Sequence, residues 1–291
     1  MAIYNLGSIN ADNVYRVPHL PLPGETIAAT GLVMGLGGKG ANMSVAAARA
    51  AARVVHIGAV GTDGRWAVQR LAEYGVGTRH IHEVDGPMGH ANICIDPAGE
   101  NSIVIYPGAN QRISDEMVEA ALQEATPGDF LVLQNETNGQ PEAAKLARSL
   151  GLRVFYAAAP FDAATVSSMI PLLDFLVLNE VEAQQLTQET ETEPGDLPIP
   201  DIIVTKGSAG CLWISELDRA GKHFAAIKVE PVDTTGAGDT FTGFLIAGLD
   251  RGMTMVQAID LATRAAALMV TRVGTADVIP DLQEVLQTEL R

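Results

Sequence analysis

The amino-acid sequence predicts an α/β fold in which a doubly wound, mostly parallel sheet lies between layers of helices. The first observation is that, from Ser114 onward, short apolar segments alternate regularly with helical segments, which is typical of strands joined by crossover helices. The second is that four earlier segments do not fit this alternation and fit paired antiparallel strands better. We therefore expect one large sheet and a small separate sheet attached to it.

The N-terminal part of the chain supplies strands to both sheets. The predicted strands there are Ala2–Gly7, Val14–Val17, Glu25–Val33, Val54–Ala59, His90–Asp96 and Asn101–Tyr106. An Ala-rich stretch after Asn42 predicts a helix that ends near Arg53, and Asp63 is placed to cap a second helix over Asp63–Glu73. The second and third strands, joined by a proline-rich loop, and the last two, joined by a Pro-Ala-Gly-Glu turn, form the predicted small sheet.

The remainder of the chain supplies most of the large sheet and its helices. The predicted helices are Ser114–Glu124, Gln140–Ser149, Ala163–Ser168, Thr240–Leu249 and Met255–Thr271, followed by a final amphipathic helix. The predicted strands are Asp129–Leu133, Arg153–Ala157, Phe175–Leu178, Ile202–Thr205, Cys211–Ile214 and Phe224–Val229. The polar segment Thr187–Pro200 and the segment Arg272–Ile279 are predicted to be loops.

Composition limits the classes of function that the chain can have. The 19 basic and 35 acidic residues give a net charge of −16, which argues against nucleic-acid and anionic-membrane partners because both need basic faces. The two cysteines stand far apart, as thiols in a reducing compartment do, and no apolar run approaches the roughly 18 residues that span a bilayer. The N-terminus lacks the basic segment of a signal peptide, so we expect a cytoplasmic protein.

The stretch Val232–Phe241, V-D-T-T-G-A-G-D-T-F, is the strongest functional signal. Gly236 and Gly238 let the backbone turn sharply in front of a predicted helix, and the unpaired N–H groups at such a helix start bind anions. In a site that only binds an anion, the Asp239 carboxylate would be unfavourable because it repels the anion. In a phosphoryl-transfer site the same carboxylate is useful, because it can take the proton of an attacking hydroxyl while the N–H groups hold the phosphate. The alternative is an ordinary helix capped by Asp239 after a glycine turn.

Two further groups of polar residues predict a site for a polyhydroxylated ligand. Asn10 and Asp12 follow the first strand and, being two residues apart, face the same way if the strand geometry continues. Lys39 and Asn42 stand three residues apart where a glycine-rich loop opens a helix, so both can reach one ligand. The loop is not a Walker A motif, because no Ser or Thr follows the lysine. The alternative for Asn10 and Asp12 is a turn with a side-chain cap, and the alternative for Lys39 is a solvent-facing lysine in a flexible loop.

Two later turns are candidates for binding a nucleotide. Asn179 and Glu182 are spaced to lie on one face of a helix, where they could hold the hydrated Mg²⁺ of a nucleotide. They could also form an ordinary capping box, and both roles can hold together. The turn Lys206–Gly210 can line phosphates with its N–H groups. By contrast, no G-x-G-x-x-G follows the first strand, which argues against a dinucleotide-dependent oxidoreductase.

These motifs, in this order, resemble the ribokinase family of sugar kinases, the PfkB type. The motifs are G-S-I-N-A-D (Gly7–Asp12), G-G-K-G-A-N (Gly37–Asn42), Q-N-E (Gln134–Glu136), N-E-V-E (Asn179–Glu182), T-K-G-S-A-G (Thr205–Gly210) and D-T-T-G-A-G-D-T-F (Asp233–Phe241). The resemblance covers essentially the whole chain. It implies a single ribokinase-like domain over residues 1–291, built as a three-layer α/β/α sandwich with a central, mostly parallel sheet. It also implies a small β lid from about 12–33 and 89–107, which often forms a dimer interface.

The resemblance implies a role for individual residues as well. The implied catalytic groups are the base Asp239 and the anion hole of Gly236, Ala237 and Gly238. The implied sugar-binding residues are Asn10, Asp12, Gly38, Lys39, Asn42 and Glu136. The implied nucleotide-binding residues are Asn179, Thr205, Gly207 and Gly210, with Glu182 associated with Mg²⁺ through water. The implied monovalent-cation ligands are Asp233 and the carbonyls of Thr235, Met269, Arg272 and Gly274. Val278 stands where ribokinases usually offer that cation a hydroxyl, which leaves K⁺ activation open.

Residues and resemblance together lead to the hypothesis of a kinase that phosphorylates the primary hydroxyl of a pentose such as ribose. ATP and Mg²⁺ are the expected cofactors, with K⁺ as a further candidate. The expected partners are the sugar, ATP and a second copy of the chain bound through the β lid. Two alternatives stay open, a nucleoside kinase of the same fold and a sugar-binding regulator without catalysis. The sugar itself is not predicted, because substrate choice rests on pocket shape and a few hydrogen bonds.

Overall fold

The computed structural model describes residues 1–289, and their strands form two sheets, one of nine strands and one of four. The strands are β1 (Ile3–Leu6), β2 (Asn10–Arg16), β3 (Gly31–Gly37), β4 (Val54–Val60), β5 (Gly77–Glu83), β6 (Gly89–Ile95), β7 (Asn101–Tyr106), β8 (Phe130–Gln134), β9 (Arg153–Ala157), β10 (Phe175–Asn179), β11 (Asp201–Thr205), β12 (Cys211–Ser215) and β13 (Asp218–Phe224). The helices are α1 (Lys39–Arg49), α2 (Arg65–Glu73), α3 (Asp115–Leu122), α4 (Gln140–Ser149), α5 (Ala163–Met169), α6 (Glu180–Thr190), α7 (Ala237–Asp250), α8 (Met255–Met269) and α9 (Leu282–Gln287). The large sheet and the small sheet predicted from the sequence are therefore both present.

The large sheet has the strand order β13-β12-β11-β10-β9-β8-β1-β4-β5. Neighbouring strands from β11 to β5 are parallel, while β12 and β13 join one edge in antiparallel orientation. β1 and β8 are buried along their whole length, as central strands covered on both faces are. The winding direction changes between β1 and β8, so ligand-binding loops are expected at the carboxyl ends of these strands.

Two hydrophobic cores, one on each face of the large sheet, hold the layers together. Successive residues of β1 alternate between the cores, with Ile3 in one and Tyr4 in the other. On the first face α1, α7 and α8 pack on the sheet, and on the second face α3, α4, α5 and α6 do so. The architecture is the predicted three-layer sandwich. Among residues 1–289, no helix combines the length and the apolar character that crossing a membrane requires.

The small sheet has the order β3-β2-β6-β7 and begins where β1 ends. β2 pairs with β3 and β6 from its first residue, Asn10, which lies opposite Gly37 and Gly89. β6 and β7 form the predicted antiparallel hairpin. One end of the small sheet therefore lies beside the loops at the carboxyl edge of the large sheet. At its outer edge, β7 is exposed along its whole length.

The third strand differs from its predicted position, Glu25–Val33. β3 begins six residues later and ends four residues later, because every residue of β2, back to Asn10, pairs with it. The β-branched residues that follow Gly24 favour a strand locally, but the pairing with β2 decides the register. The shift also brings Gly37 beside the site, where a Cβ would lie 2.0 Å from Asp12 Oδ2, so a larger residue would displace that carboxylate.

Two helix boundaries also differ from their predictions. α1 ends at Arg49 rather than near Arg53, because Ala51 takes up a left-handed conformation (φ 63°) that the helix cannot include. Asp63 does not cap α2, which begins after a 3₁₀ turn that contains this residue. Its carboxylate instead accepts a hydrogen bond from the Met88 N–H (2.9 Å), an interaction distant in sequence that local patterns do not show.

The C-terminal half differs from prediction at two further places. α6 continues through Thr190, into the predicted loop Thr187–Pro200. β13 does not lie at the predicted Phe224–Val229, because β12 turns back at once and pairs Ser215 with Asp218. The hairpin geometry thus overrides the apolar pattern of the following segment.

Candidate active site

The start of α7 forms the centre of the candidate site. The helix begins at Ala237, three residues before the predicted start, and follows Gly236 in a left-handed conformation (φ 75°). Asp239 therefore lies in the first turn, where it is buried (8% exposed). The Ala237 N–H donates to Thr234 O (3.2 Å), whereas the next two amides, of Gly238 and Asp239, have no acceptor within residues 1–289. These free donors lie at the positive end of the helix dipole, as an anion site requires.

Open space lies in front of these amides on one side of the turn. A side chain at Gly236 would lie 2.9 Å from Met269 Cε, so the inner side of the turn is packed against α8. A side chain at Gly238 would meet nothing within 4 Å. The outer side of the turn is therefore open at Gly238.

Asp239 is held by a hydrogen bond from α1 and by the charges around it. Its Oδ2 accepts from Asn42 Nδ2 (2.9 Å), which joins the starts of the two helices. Burial raises the pKa of Asp239, and the charge of Lys39 opposes that rise. A carboxylate with a raised pKa binds a proton more readily, which suits proton removal from an alcohol.

Asn10 and Asp12 lie at the start of β2, on the same face of the strand. Asn10 is buried (5% exposed), and its Oδ1 accepts from Asn110 Nδ2 (2.7 Å), which leaves its Nδ2 to donate to a ligand. Burial raises the pKa of Asp12 to about 7, and the charges of Glu136 and Asp239 add to that effect. Strand β2 and helix α7 therefore present their carboxylates to a common pocket.

Lys39, the first residue of α1, brings a positive charge to this pocket. Its pKa is raised by the charge of Asp239 above all, and further by those of Glu136 and Glu182, while burial opposes the rise. Glu136 Oε2 accepts from the backbone N–H of Lys39 (2.9 Å) and from the Ser8 hydroxyl. The residues predicted to bind sugar are thus brought together from β2, α1 and the loop after β8.

Two residues that the sequence interpretation missed hold these positions in place. Ser8 Oγ accepts the Gly40 N–H (3.2 Å) besides donating to the glutamate, and the left-handed Gly38 (φ 94°) lets α1 begin against the Ser8 carbonyl. Asn110 fixes the orientation of the Asn10 amide. Ser8 lies inside the G-S-I-N-A-D motif, and that was the signal that could have identified it, whereas Asn110 lies outside the motifs and no local signal marked it.

Asn179 and Glu182 form the capping box that the sequence allowed. Asn179 Oδ1 accepts the Glu182 N–H (2.8 Å), and Glu182 Oε2 accepts the Asn179 N–H (2.7 Å). Thr205 lies opposite Asn179 in the pairing of β10 with β11. Burial raises the pKa of Glu182, against the effects of the Asn179 N–H and of Lys39. Glu182 therefore faces the pocket while it caps α6, and its Oε1 takes no part in the box.

The turn after β11 is tight and is open on one side. The Lys206 N–H donates to Gly210 O (2.7 Å), and Gly207 and Gly210 both have positive φ (53° and 98°). A side chain at Gly210 would collide with the Phe224 carbonyl, whereas one at Gly207 would meet nothing within 4 Å. The turn thus offers an exposed backbone at Gly207, next to Thr205 on the adjoining strand end.

Asp233 ties two of the predicted monovalent-cation ligands together. Its Oδ1 accepts the Thr235 N–H (2.9 Å), and its Oδ2 accepts the Gly274 N–H (3.2 Å). The loop before α7 is thereby joined to the loop after α8. Both carboxylate oxygens of Asp233 therefore accept backbone N–H groups from the two loops that contain predicted cation ligands.

The remaining predicted cation ligands lie at the end of α8. Met269 O accepts the Arg272 N–H (3.0 Å), so the two residues close the helix end. Val278 packs beside Gly274, with a methyl group 3.4 Å from the position of a Cβ there. Val278 therefore offers no side-chain oxygen beside Gly274.

Comparison with known proteins identifies the family of the chain. The family model described as pfkB family carbohydrate kinase matches residues 3–282. The chain is 36% identical to a ribokinase of Haemophilus influenzae, over 97% of this chain and 96% of the relative. It is 30% identical to a deoxyribokinase of Salmonella typhi, over 98% of this chain and 97% of the relative.

A solved structure extends the similarity to three dimensions. A ribokinase of Arabidopsis thaliana complexed with ribose and ATP has a TM-score of 0.87 at 28% identity, and the match covers 99% of this chain and 98% of that chain. The family match, the relatives and the fold all span nearly the whole length of the chain. The chain therefore belongs to the pfkB family of carbohydrate kinases and is a phosphotransferase with an alcohol group as acceptor.

Proposed function

We propose that the protein transfers the γ-phosphoryl group of ATP to the primary hydroxyl of a pentose in the cytoplasm, with D-ribose as the first candidate. The observation that carries the proposal is the position of Asp239. It is a buried carboxylate beside two free amides of α7 and is hydrogen-bonded to Asn42. The carboxylate can accept the proton of an alcohol while the amides receive the transferring group.

The transfer forms one bond and breaks another. The sugar oxygen attacks the γ-phosphorus and forms a new P–O bond, the bond to the leaving ADP breaks, and the proton of the hydroxyl goes to Asp239. Phosphoryl transfer depends mainly on positioning and on stabilisation of the charge that develops on the phosphoryl oxygens. The amides of Gly238 and Asp239 supply that stabilisation from fixed positions, without reorganisation during the reaction.

Mg²⁺, when bound with ATP, neutralises phosphate charge and orients the phosphates. Glu182 is the residue we assign to it, through water. Its capping-box oxygen is Oε2, so Oε1 remains for such a contact, and the charge coupling between Glu182 and Lys39 supports a position at the pocket. The capping box and the metal role that the sequence left open are therefore compatible.

The donors and acceptors of the pocket fit a polyhydroxylated substrate. Asn10 Nδ2 and the Lys39 ammonium are donors, and the carboxylates of Asp12 and Glu136 are acceptors, so each sugar hydroxyl can find a partner. The ribokinase and deoxyribokinase relatives make D-ribose and 2-deoxy-D-ribose the sugars to test first. A nucleoside would share the attacking hydroxyl but add a base, so adenosine is the third candidate.

The experiment is an ADP-release assay over D-ribose, 2-deoxy-D-ribose and adenosine, with the wild type, Asp239→Asn and Asp115→Asn. We expect turnover with a pentose, a loss of about 10²–10⁴-fold in Asp239→Asn, and wild-type rates in Asp115→Asn, an exposed acid at the start of α3. Near-normal turnover in Asp239→Asn would contradict the proposal. Calorimetry that shows ribose binding without any ADP production would favour the sugar-binding regulator instead.

We further infer that the protein forms a homodimer through the small sheet. The two edge strands of this sheet carry apolar side chains that are between 47% and 66% exposed, namely Leu32, Val33, Met34, Ile103, Val104, Ile105 and Tyr106. Apolar side chains this exposed on both edge strands indicate an interaction site, and a second copy of the same sheet would cover them symmetrically.

Light scattering after size exclusion tests the dimer. We expect Val104→Glu to be monomeric, because it places a charge in the apolar surface on β7. The matched control is Leu217→Glu, on the turn between β12 and β13, where the side chain is 98% exposed and the charge should not alter the dimer. A monomeric wild type, or a Val104→Glu variant that stays dimeric, would contradict the inference.

A further inference from the structure

A row of polar side chains lies beneath the site, inside the sandwich. Its members are Gln134 on β8, Asn5 on β1, Ser44 on α1 and His56 on β4, and each is at most 1% exposed. Central strands of a parallel sheet are usually apolar on both faces, so a buried polar row across three of them calls for an explanation. The phosphoryl-transfer step described above uses none of these four residues.

Asn5 forms the middle of this row and joins it to α1. Its Oδ1 accepts from Gln134 Nε2 (2.9 Å). Its Nδ2 donates to Ser44 Oγ (2.8 Å) and to Gly40 O (2.8 Å), so both amide hydrogens are used. The carbonyl of the first turn of α1 is thereby tied directly to the central strand β1.

His56 forms the other end of the row. Its Nε2 lies 3.0 Å from Gly7 O, and its Nδ1 lies 2.8 Å from Ser44 Oγ. A carbonyl can only accept, so Nε2 carries the hydrogen and Nδ1 accepts the Ser44 hydroxyl. Burial lowers the pKa of His56 to about 4, which keeps the ring neutral and this tautomer in place. All donors in the row therefore point in one direction, from Gln134 to the Gly7 carbonyl.

The two backbone carbonyls that the row holds belong to glycines in direct contact. A Cβ at Gly7 would lie 2.6 Å from Gly40 Cα, and a Cβ at Gly40 would lie 2.4 Å from Gly7 Cα. Gly7 begins the turn that leads into Asn10, and Gly40 directly follows Lys39. The distance between the two halves of the sugar pocket is thus set at this contact.

We propose that His56, acting with Ser44 and Asn5, is a positioning residue for the sugar site. The three side chains clamp the turn between β1 and β2 onto the first turn of α1 and so hold Asn10 and Lys39 at the separation that the substrate requires. The kinetic part of this inference rests on the proposed function, because it needs turnover of a sugar. The structural part, the clamping of the two segments, does not.

The kinetic experiment compares His56→Phe, Ser44→Ala and the double variant with His82→Phe. Phenylalanine keeps a planar aromatic ring, larger by one atom, and removes both hydrogen bonds, and the same change at His82 controls for the larger ring. His82 lies on β5 and its Nε2 has no partner in the described part of the chain. We expect His56→Phe to raise the KM for D-ribose roughly fivefold or more and to leave the KM for ATP unchanged. We expect the KM for D-ribose of the double variant to be no higher than that of His56→Phe, because both substitutions break the same row of hydrogen bonds.

Hydrogen exchange of the ligand-free protein separates this inference from the proposed function. In His56→Phe, peptides that cover residues 7–12 and 38–44 should exchange faster than in the wild type and in His82→Phe. If the wild type does not phosphorylate any sugar, the proposed function fails and the exchange data still decide the clamp. A lower melting temperature with unchanged ribose KM and unchanged exchange in these peptides would overturn the inference, as would additive effects of the two substitutions.

Discussion

Replacing Asp12 with Asn should stabilise the ligand-free protein above neutral pH. Burial, followed by the charges of Glu136 and Asp239, raises the pKa of Asp12 from 3.8 to about 7. Between these values the folded protein binds more protons than the unfolded chain, so the stability that this group contributes is present below its unfolded pKa and is lost as the pH rises through about 7. Asparagine is neutral at every pH and avoids this loss.

The size of the effect follows from the two pKa values. The full rise corresponds to about 4 kcal/mol, and we take about 2–4 kcal/mol because the side chain is partly exposed to solvent. Urea unfolding of the wild type, Asp12→Asn and the surface control Asp115→Asn is measured at about pH 5 and about pH 8. The difference in unfolding free energy between Asp12→Asn and the wild type should increase by about 2 kcal/mol in favour of the variant from about pH 5 to about pH 8.

Two results would refute this reasoning. The first is a stability difference between Asp12→Asn and the wild type that is the same at both pH values. The second is a variant that is less stable than the wild type at the higher pH. The expected loss of D-ribose affinity in the same variant, measured by calorimetry, would show that the protein keeps a destabilising carboxylate for the sake of its ligand.

Three further predictions concern the backbone contact, the cation site and the buried histidine. Gly40→Ala places a methyl group 2.4 Å from Gly7 Cα and should lower the free energy of unfolding in urea by about 1–3 kcal/mol; no change would contradict the close packing. Val278→Ser restores a side-chain oxygen, so KCl should increase its ADP-release rate more than that of the wild type, with choline chloride as the control; an equal response would reject the assigned cation site. Because burial lowers the pKa of His56 from 6.5 to about 4, its contribution is present above pH 6.5 and is lost as the pH falls. The difference in unfolding free energy between wild type and His56→Phe should shrink by about 3 kcal/mol from about pH 7 to about pH 4, and parallel pH curves would disprove it.

The sequence was sufficient to predict elements whose pattern depends on their own burial. β9 and α4 have the predicted bounds, because a short apolar run and a helical period each report on the faces that these elements bury. The predicted strands at Glu25–Val33 and Phe224–Val229 were wrong, because their positions are set by pairing with strands elsewhere in the chain. A local propensity contains no information about that register.

In the candidate site, too, the residues with local roles could be predicted from the sequence and the residues with distant partners could not. Asp239 and the capping pair at the start of α6 could be identified because their roles depend on positions along one helix. Asn110 and the buried His56 could not, because each acts on residues that are far away in sequence. A histidine in an apolar strand pattern looks like an ordinary core residue until the hydroxyl and the carbonyl that hold it are known.

The charge of the pocket indicates which groups must receive the phosphates of ATP. The charges of Asp12, Glu136, Glu182 and Asp239 are coupled to one another or to Lys39, so acidic groups outnumber this lysine. A triphosphate brings further negative charge, and Lys39 is already surrounded by carboxylates. The free amides of α7 attract the phosphate without a formal charge of their own, but they do not neutralise it. A divalent cation does, and we therefore expect ATP to bind this pocket far more weakly when Mg²⁺ is removed with a chelator.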